Sequence, residues 1–284
     1  EEIFSHDDLN RIIRSNEKEF VIKPVDSRGS RGVQKINIDN NLIESFNEAK
    51  KFSPSNRVMI EEFIKGPQIS SESLIIDGKS YTIGLSDRNY EFLEKYAPNI
   101  IENGGDLPAS LEKEQILNIE KVISKIANIL KIDSGVIKGD IVFKDNSSDP
   151  IIIEIATRLS GGYFCTHEIP LNTGVDFVGK AIDLAIGKNI NLNDIQSKDA
   201  NFVCQRYLFS DKGIVKRIPD MKKISNMKGV RLAKLRTSIG DKIAAPTSHP
   251  GRSGVIIAVG DSRETAQENA INAINEMHKD LVVI

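Results

Sequence analysis

The chain has 284 residues, 27% of them charged and 39% hydrophobic, with a formal net charge of −2. That is the composition of an ordinary globular protein with room for one large domain or two to three smaller ones. Its pI near 6.2 gives no basic footprint for nucleic acid, and no apolar run approaches the ~20 residues that span a bilayer. The two cysteines, Cys165 and Cys204, lie too far apart for a disulfide framework. Reduced thiols predict a cytoplasmic protein.

Ser5-His6-Asp7-Asp8 has a capping pattern with Ser5 as N-cap, opening a helix through Leu9, Ile12 and Ile13. Residues 20–24 form a predicted strand that ends at a proline. A glycine- and serine-rich loop follows, Asp26-Ser27-Arg28-Gly29-Ser30-Arg31-Gly32. Next come a strand over 33–37, a helix through Leu42, Ile43 and Phe46, and a strand over 57–63. Asp77-Gly78 is a hairpin turn signal between strands 69–76 and 80–85. Ile116, Ile119, Ile123, Ile126 and Leu130 recur at helical spacing and predict an amphipathic helix over 111–131. Two apolar runs flanking Lys144-Asp145-Asn146-Ser147-Ser148-Asp149-Pro150 predict a β-hairpin. A helix over 175–186 and a polar stretch over 189–198 follow. Strands near 202–209, 229–235 and 255–259, a helix over 263–278 and a strand over 281–284 complete the order. Hairpins mixed with helices argue for α+β rather than a doubly wound parallel sheet.

If the hairpin turn centres on Ser147, Asp140 and Glu154 oppose each other, each seven residues from that centre. Opposed residues in an antiparallel pair have Cβ atoms ~5 Å apart, and like charges there repel. The period of two puts Glu154, Ala156 and Arg158 on one face, and Ile153 and Ile155 on the other. A hard divalent cation bound through oxygen, typically Mg²⁺ carrying nucleotide phosphates, relieves such a pair. Two unrelated surface acids on an edge hairpin would give the same pattern.

Lys23, at a strand end, supplies a point charge for a phosphate. Backbone N–H groups of the following loop can wrap phosphate oxygens, and Arg28 and Arg31 add positive charge. This is not a P-loop, because no Gly-Lys-Ser/Thr opens a helix. A plain hairpin loop has the same composition. The strand through Glu61-Glu62-Phe63-Ile64 turns at Gly66-Pro67. It can offer backbone groups to a flat base edge or merely join two strands. Beyond Arg158, Leu159-Ser160-Gly161-Gly162 can bring backbone close to a ligand. His167 suits a substrate contact or a helix cap. Cys165 has no base partner in sequence and fits a buried thiol.

In this order the pieces resemble the ATP-grasp superfamily over residues 5–188. Lys23, its strand and its loop resemble the family's lysine strand and flexible phosphate lid. Residues 60–68 resemble the adenine hinge. Asp140 and Glu154 match two acidic metal positions, and Arg158 matches the arginine of the Glu-x-Asn-x-Arg signature. The tail around Ser248 to Ile257 resembles that of carboxylate–amine ligases and carbamoyl-phosphate-synthetase-like members.

The resemblance implies an α+β ATP-grasp fold, two α+β subdomains clasping ATP with an additional C-terminal α+β segment. The small subdomain with the lid is expected at 1–66, the metal and substrate subdomain at 67–190, and the segment packing on the core at 191–284. It implies an ATP-dependent carboxylate–amine or carboxylate–thiol ligase that works through an acyl phosphate. Lys23, Ser27, Arg28, Gly29, Ser30, Arg31 and Gly32 would hold the nucleotide phosphates. Glu61, Glu62, Phe63 and Ile64 would frame the adenine, and Gln68 the ribose. Asp140 and Glu154 would hold Mg²⁺, with Mn²⁺ as the alternative. Arg158 would stabilise charge on the transferring phosphoryl group. Glu72, Arg88, Ser160, Gly161, Gly162 and His167 are the candidate substrate contacts. The expected partners are a small-molecule carboxylate and amine, and either a second copy in a homodimer or a separate N-terminal-domain protein.

Three departures bear on this expectation. Ala156 stands where many members have an asparagine metal ligand, and Gln68 where the ribose-contacting glutamate is usual. Only residues 1–19 precede Phe20, where members carry a further domain and a nucleotide-contacting lysine, so the chain is expected to be incomplete. Two other readings stay open: a bicarbonate-activating carboxylase of the biotin-carboxylase or purine-pathway type, and a non-catalytic nucleotide-binding module.

Overall fold

The computed structural model describes residues 1–16, 18–144, 147–198 and 201–284. Its first unit comprises β1 (Glu2–Ile3), α1 (His6–Arg14), β2 (Phe20–Pro24), β3 (Gln34–Ile36), α2 (Leu42–Lys51) and β4 (Val58–Glu62). The strands form an antiparallel sheet in the order β1-β4-β2-β3. Ser5 Oγ accepts from Asp8 N at 3.2 Å and starts α1; Asn41 caps α2 in the same way through Glu44 N. Phe20, Ile22, Ile36, Val58 and Ile60 pack with Leu9, Ile13, Leu42 and Phe46 of the helices. Fully burying such a side chain contributes about 1.5–3 kcal/mol. The strand period therefore turns Lys23, Met59 and Glu61 to the face away from the helices.

The chain continues through β5 (Gln68–Ile76), β6 (Lys79–Arg88), β7 (Gly104–Leu107), α3 (Lys113–Ile129), β8 (Ser134–Phe143) and β9 (Pro150–Ala156). Then follow α4 (Ile169–Thr173), α5 (Phe177–Ala185), β10 (Phe202–Leu208), β11 (Gly213–Arg217), α6 (Met221–Ser225), β12 (Val230–Leu235) and β13 (Lys242–Ile243). Last come β14 (Gly254–Gly260), α7 (Arg263–Asp280) and β15 (Val282–Val283). Eight strands make one sheet in the order β12-β14-β10-β7-β6-β5-β8-β9, every neighbouring pair antiparallel. The region expected as a third segment, 191–284, thus gives β10, β12 and β14 to the sheet that also holds β8 and β9. A small sheet, β13-β11-β15, stands beside it.

Register defines the two faces of the large sheet. Ile69, Asp87, Asp106, Cys204 and Ala258 are successive register partners and so share its back. There α3 covers Ile69, Ile75, Ile137 and Ile141, and α7 covers Cys204, Leu208, Ile256 and Ala258. On the front, Phe164, Ile169 and Phe177 cover an apolar part around Leu74, Leu107 and Val203. Further along the same face the side chains are polar.

β7 has no strand signature in sequence, since glycine and aspartate are depleted in strands. Its neighbours explain the composition. A Cβ on Gly104, at φ +96°, would lie 2.2 Å from Gln205 O, and one on Gly105 would lie 2.4 Å from Asp87 O. Only glycine lets β7 fit between β6 and β10. Among the described residues, no helix is long and apolar enough to cross a membrane.

Candidate active site

The polar front begins with the β8–β9 hairpin. Asp140 and Glu154 are register partners, and Ser70 of β5 is the partner of Asp140 on its other side. A bulge follows: Asp140 pairs with Glu154, but Ile141 pairs with Ile152. The turn residues Asp145 and Asn146 lie outside the described residues. The next row across the sheet is Glu72, Lys138 and Ala156.

Asp140 is not a bare half of a repelling pair. Lys138 Nζ forms a short contact with its Oδ2, Arg88 Nη1 lies 2.8 Å from Oδ1, and Ser70 Oγ donates to it at 3.2 Å. Burial alone would raise its pKa, but Arg88 and Lys138 outweigh burial and hold it at about 2. Lys138 faces Ala156 on one side of the ladder, where no amide or carboxylate competes for its ammonium, and Glu72 on the other.

Arg88 extends the charges further. Its Nε donates to Glu102 at 2.8 Å, and Arg252 Nη1 donates to Glu102 O at 3.0 Å and lies 3.8 Å from Oε1. Arg252 also lies over the Tyr207 ring, 3.4 Å from its centroid. Burial opposes ionisation of Glu102, yet Arg88 and Arg252 keep its pKa below the usual range. Lys138, Arg88 and Arg252 supply three cations against the two carboxylates of Asp140 and Glu102. Glu154, the register partner of Asp140, brings the charges level, and the guanidiniums of Arg88 and Arg252 can hold an anion in this low-dielectric site. His249 accepts from Glu102 N at 3.4 Å. Burial and then Arg252 depress its pKa to about 3, so it is neutral near pH 7.

Glu72 is the other buried acid of this face, 0% exposed. It accepts from Ser160 N at 3.2 Å and from Ser160 Oγ in a short contact. Burial raises its pKa to about 7 despite those bonds and the nearby Lys138 and Arg158. Ser160 opens the loop after Arg158, whose Gly162 and Tyr163 both have positive φ. Gln205 Nε2 and Tyr207 Oη fix it by donating to Gly162 O at 2.6 and 3.3 Å. Cys165 is buried and donates to Ser160 O at 3.1 Å. Its pKa is raised to about 11 by burial and by Glu72, which makes it a poor nucleophile.

On the small sheet, Lys23 Nζ meets Glu61 Oε1 at 2.5 Å on the face away from the helices. Glu62 is apart from them, exposed and paired with Lys18 at 2.9 Å. Phe63 lies under the Lys35 ammonium. The glycine-rich loop is tied at several points. Asp26 accepts from Ser53 Oγ at 2.5 Å and Ser55 N at 3.0 Å. Arg31 Nη1 donates to Arg28 O, Ser30 Oγ donates to Ile100 O, and His249 N donates to Gly29 O at 3.0 Å. Gly29 and Ser30 both adopt positive φ; Ser27 and Arg28 are exposed and Gly32 buried. In the hinge, a Cβ on Gly66 would fall 1.8 Å from Phe143 O, so Gly66 lets the chain pass against the end of β8 on its way to Gln68.

The structure brings Glu72, Arg88, Asp140, Glu154 and Ser160 onto one face. Lys23 and Glu61 sit together on the other sheet, and Glu62 is not with them. Arg158 and Gly161 are exposed, with Arg158 Nη1 donating to Leu159 O. His167 packs edge-on against Tyr163 and pairs with Thr166 Oγ1. Sequence reasoning did not assign Lys138, Glu102, His249 or Arg252. Lys138 carried one signal, a charge inside the apolar run from Val136 to Val142. The other three come from two segments far apart in sequence, Glu102 from one and His249 and Arg252 from the other.

Asp140 and Glu154 suit a Mg²⁺ that also binds phosphates and water, which needs only one or two protein carboxylates. Among the described residues, no group of three or more His, Cys, Asp or Glu side chains could cage a metal alone. Two acids on one face therefore fit a nucleotide-borne cation.

Residues 8–162 match the ATP-grasp domain family. The chain belongs to the ATP-grasp family. A second match, to the L-amino acid ligase C-terminal domain 2 family, covers residues 206–281. The L-amino acid ligase from Bacillus licheniformis is similar in structure, with TM-score 0.80 and 19% identity over 100% of this chain and 67% of that one. That likeness shows the ATP-grasp fold. The protein y4rH of Sinorhizobium fredii is 27% identical over 90% of this chain and 52% of its own length. A D-alanine–D-alanine ligase of Flavobacterium psychrophilum is 26% identical over 53% of this chain and 45% of its own. The chain spans about half the length of these curated relatives.

Proposed function

We propose that this ATP-grasp protein is an ATP-dependent ligase joining a small carboxylate to an amine through an acyl phosphate. The observation that carries the reading is the adjacency of the Asp140–Glu154 pair to the cation-rich chain Lys138–Asp140–Arg88–Glu102–Arg252. One can hold a nucleotide-borne metal, and the other can hold a carboxylate beside it. The names of the similar proteins, L-amino acid ligase and D-alanine–D-alanine ligase, support amino acids as the substrate class.

In this reading Lys23 and residues 27–32 hold the phosphates, and Glu61, Phe63, Ile64 and Gln68 border the adenosine. Glu62 is the weakest member of that set, because it faces solvent. Mg²⁺ (or Mn²⁺) held by Asp140 and Glu154 neutralises phosphate charge when bound. Arg88 and Arg252 orient the carboxylate, one of whose oxygens attacks the γ-phosphorus while ADP leaves with the bridging oxygen. Arg158 approaches the transferring phosphoryl group from the exposed rim, a preorganised electrostatic role. The amine then forms the C–N bond and phosphate departs.

The division into 1–66, 67–190 and 191–284, a homodimer or a separate N-terminal-domain partner, and the carbamoyl-phosphate-synthetase-like character of the tail belong to the same proposal. The test is ATP-dependent phosphate release by the full-length protein, with the common L-amino acids supplied singly and in pairs. Release that requires a pair, with a condensed product by mass, supports the reading. Release with bicarbonate alone would favour the carboxylase, and nucleotide binding without any release would favour the non-catalytic module.

A further inference from the structure

The ligase reading gives Asp140, Glu154, Arg88 and Lys23 work to do, but leaves Glu72 without any. A carboxyl in this position is costly unless partnered. Its partner is a single residue, Ser160, which uses both its backbone N–H and its hydroxyl. Ser160 is half-buried while Glu72 is fully buried. Ser160 thus reaches solvent where the acid bonded to its hydroxyl does not.

The surroundings of Glu72 are defined on every side. Lys138 of β8 is its register partner and Gly84 of β6 its partner on the other edge. Arg158 adds a positive charge from the end of β9, and the Cys165 thiol lies beneath the same loop. Ile169 closes over Gly84 without adding charge.

We propose that Ser160 and Glu72 form a proton relay that deprotonates the attacking ammonium group, Ser160 touching the nucleophile and Glu72 acting through it. The proposal rests on the ligase reading. Ser160 Oγ takes a proton from the ammonium nitrogen as its own proton passes to Glu72 Oε2. The freed lone pair forms the C–N bond at the acyl-phosphate carbon. The C–O bond to phosphate breaks, and phosphate leaves with the electron pair. The second N–H proton goes to that phosphate, and Glu72 returns its proton to solvent through Ser160 when product leaves. A carboxyl that titrates near neutrality is matched to this exchange.

The experiment compares two nucleophiles on the full-length protein. The first is an L-amino acid whose amine is mostly protonated at pH 7. The second is hydroxylamine, whose nitrogen is largely neutral and traps acyl phosphates as hydroxamates. In the wild type, ligation kcat/KM should fall on the acid side of about pH 7, while hydroxamate formation lacks that limb. Glu72→Gln keeps the hydrogen bond to Ser160. It should lower ligation at least tenfold and hydroxamate formation less than threefold, and Ser160→Ala should show the same split. If both products fall together in both variants, the relay is wrong and Glu72 only holds the loop. If Glu72→Gln ligates as fast as wild type with the same pH limb, the relay is equally wrong. A wild type that makes neither product overturns the ligase reading and the relay with it.

Discussion

Arg88 grips Asp140: its Nη1 lies 2.8 Å from Oδ1, and both side chains are only 12% exposed. The acid proposed to offer oxygens to a metal is therefore already bound to an arginine and a lysine. On the proposed reading a Mg²⁺-nucleotide shares Asp140 with them. Breaking a buried pair by removing one partner is costly, because the other charge is left uncompensated. Asp140→Asn should lower the free energy of unfolding by about 3–5 kcal/mol, measured by urea denaturation. A midpoint equal to the wild type would mean that Arg88 and Lys138 find other partners.

Glu154 differs from its register partner in being exposed. Glu154→Gln should change stability by less than about 0.5 kcal/mol, as for most surface substitutions. It should still cut Mg²⁺-dependent phosphate release by two orders of magnitude or more. Thermal unfolding and turnover measured across a Mg²⁺ titration separate the two effects. Unchanged turnover would remove Glu154 from the metal site.

The two buried acids give stability opposite dependences on pH. Asp140 has a folded pKa of about 2, below its ordinary value of 3.8. The native state binds fewer protons there, so its contribution is present above pH 3.8 and is lost as pH falls toward 2. Glu72 is raised from 4.5 to about 7. Its native state binds more protons in that interval, so its contribution is present below pH 4.5 and is lost as pH rises through 7. The loss amounts to roughly 3 kcal/mol at 1.36 kcal/mol per pKa unit. Glu72→Gln should flatten unfolding free energy against pH between 4.5 and 7, as followed by urea melts at fixed pH values. A slope the same as wild type would show that Glu72 titrates normally.

Gly66→Ala should be far more damaging than its size suggests. The residue has φ +147°, and the new Cβ would sit 1.8 Å from a backbone oxygen, Phe143 O. A forced backbone shift of this kind costs on the order of 1–3 kcal/mol. Because β8 ends at Phe143, the same shift should weaken nucleotide binding. Urea melts and ATP titration of the same variant check both, and a variant that matches wild type in both would show that the hinge relaxes freely.

Local signals carried the sequence reading well where the physics is local. The turn about Ser147 placed Asp140 opposite Glu154, and the Asp77-Gly78 turn placed β5 beside β6, because a hairpin register needs only the spacing within one stretch of chain. The loop over 26–32 was harder. It resembles a flexible phosphate lid, yet it is tied to Ile100 and His249, which no spacing within the loop can reveal. β7 was invisible because its glycines answer to β6 and β10 rather than to any pattern of their own. Glu102, His249 and Arg252 were missed for a similar reason: each is ordinary until the sheet brings together the two segments that carry them.

The four register pairs between β7 and β10, Leu107–Val203 to Gly104–Arg206, have a consequence for inheritance. Gly104–Arg206 joins the stretch that matches the ATP-grasp domain to the stretch that matches the ligase C-terminal domain, and the other three pairs lead up to that boundary. Recombination that exchanged only the later stretch would swap Tyr207, His249 and Arg252, and leave Lys23, Asp140 and Glu154 in place. It would also keep Phe202 to Gln205 of β10, with the Gln205 O that only a glycine at 104 can approach, and replace that strand from Arg206 onward. On the ligase reading, new acceptors could then arise on an unchanged phosphoryl-transfer apparatus, with β7 and the first half of β10 as the fixed seam.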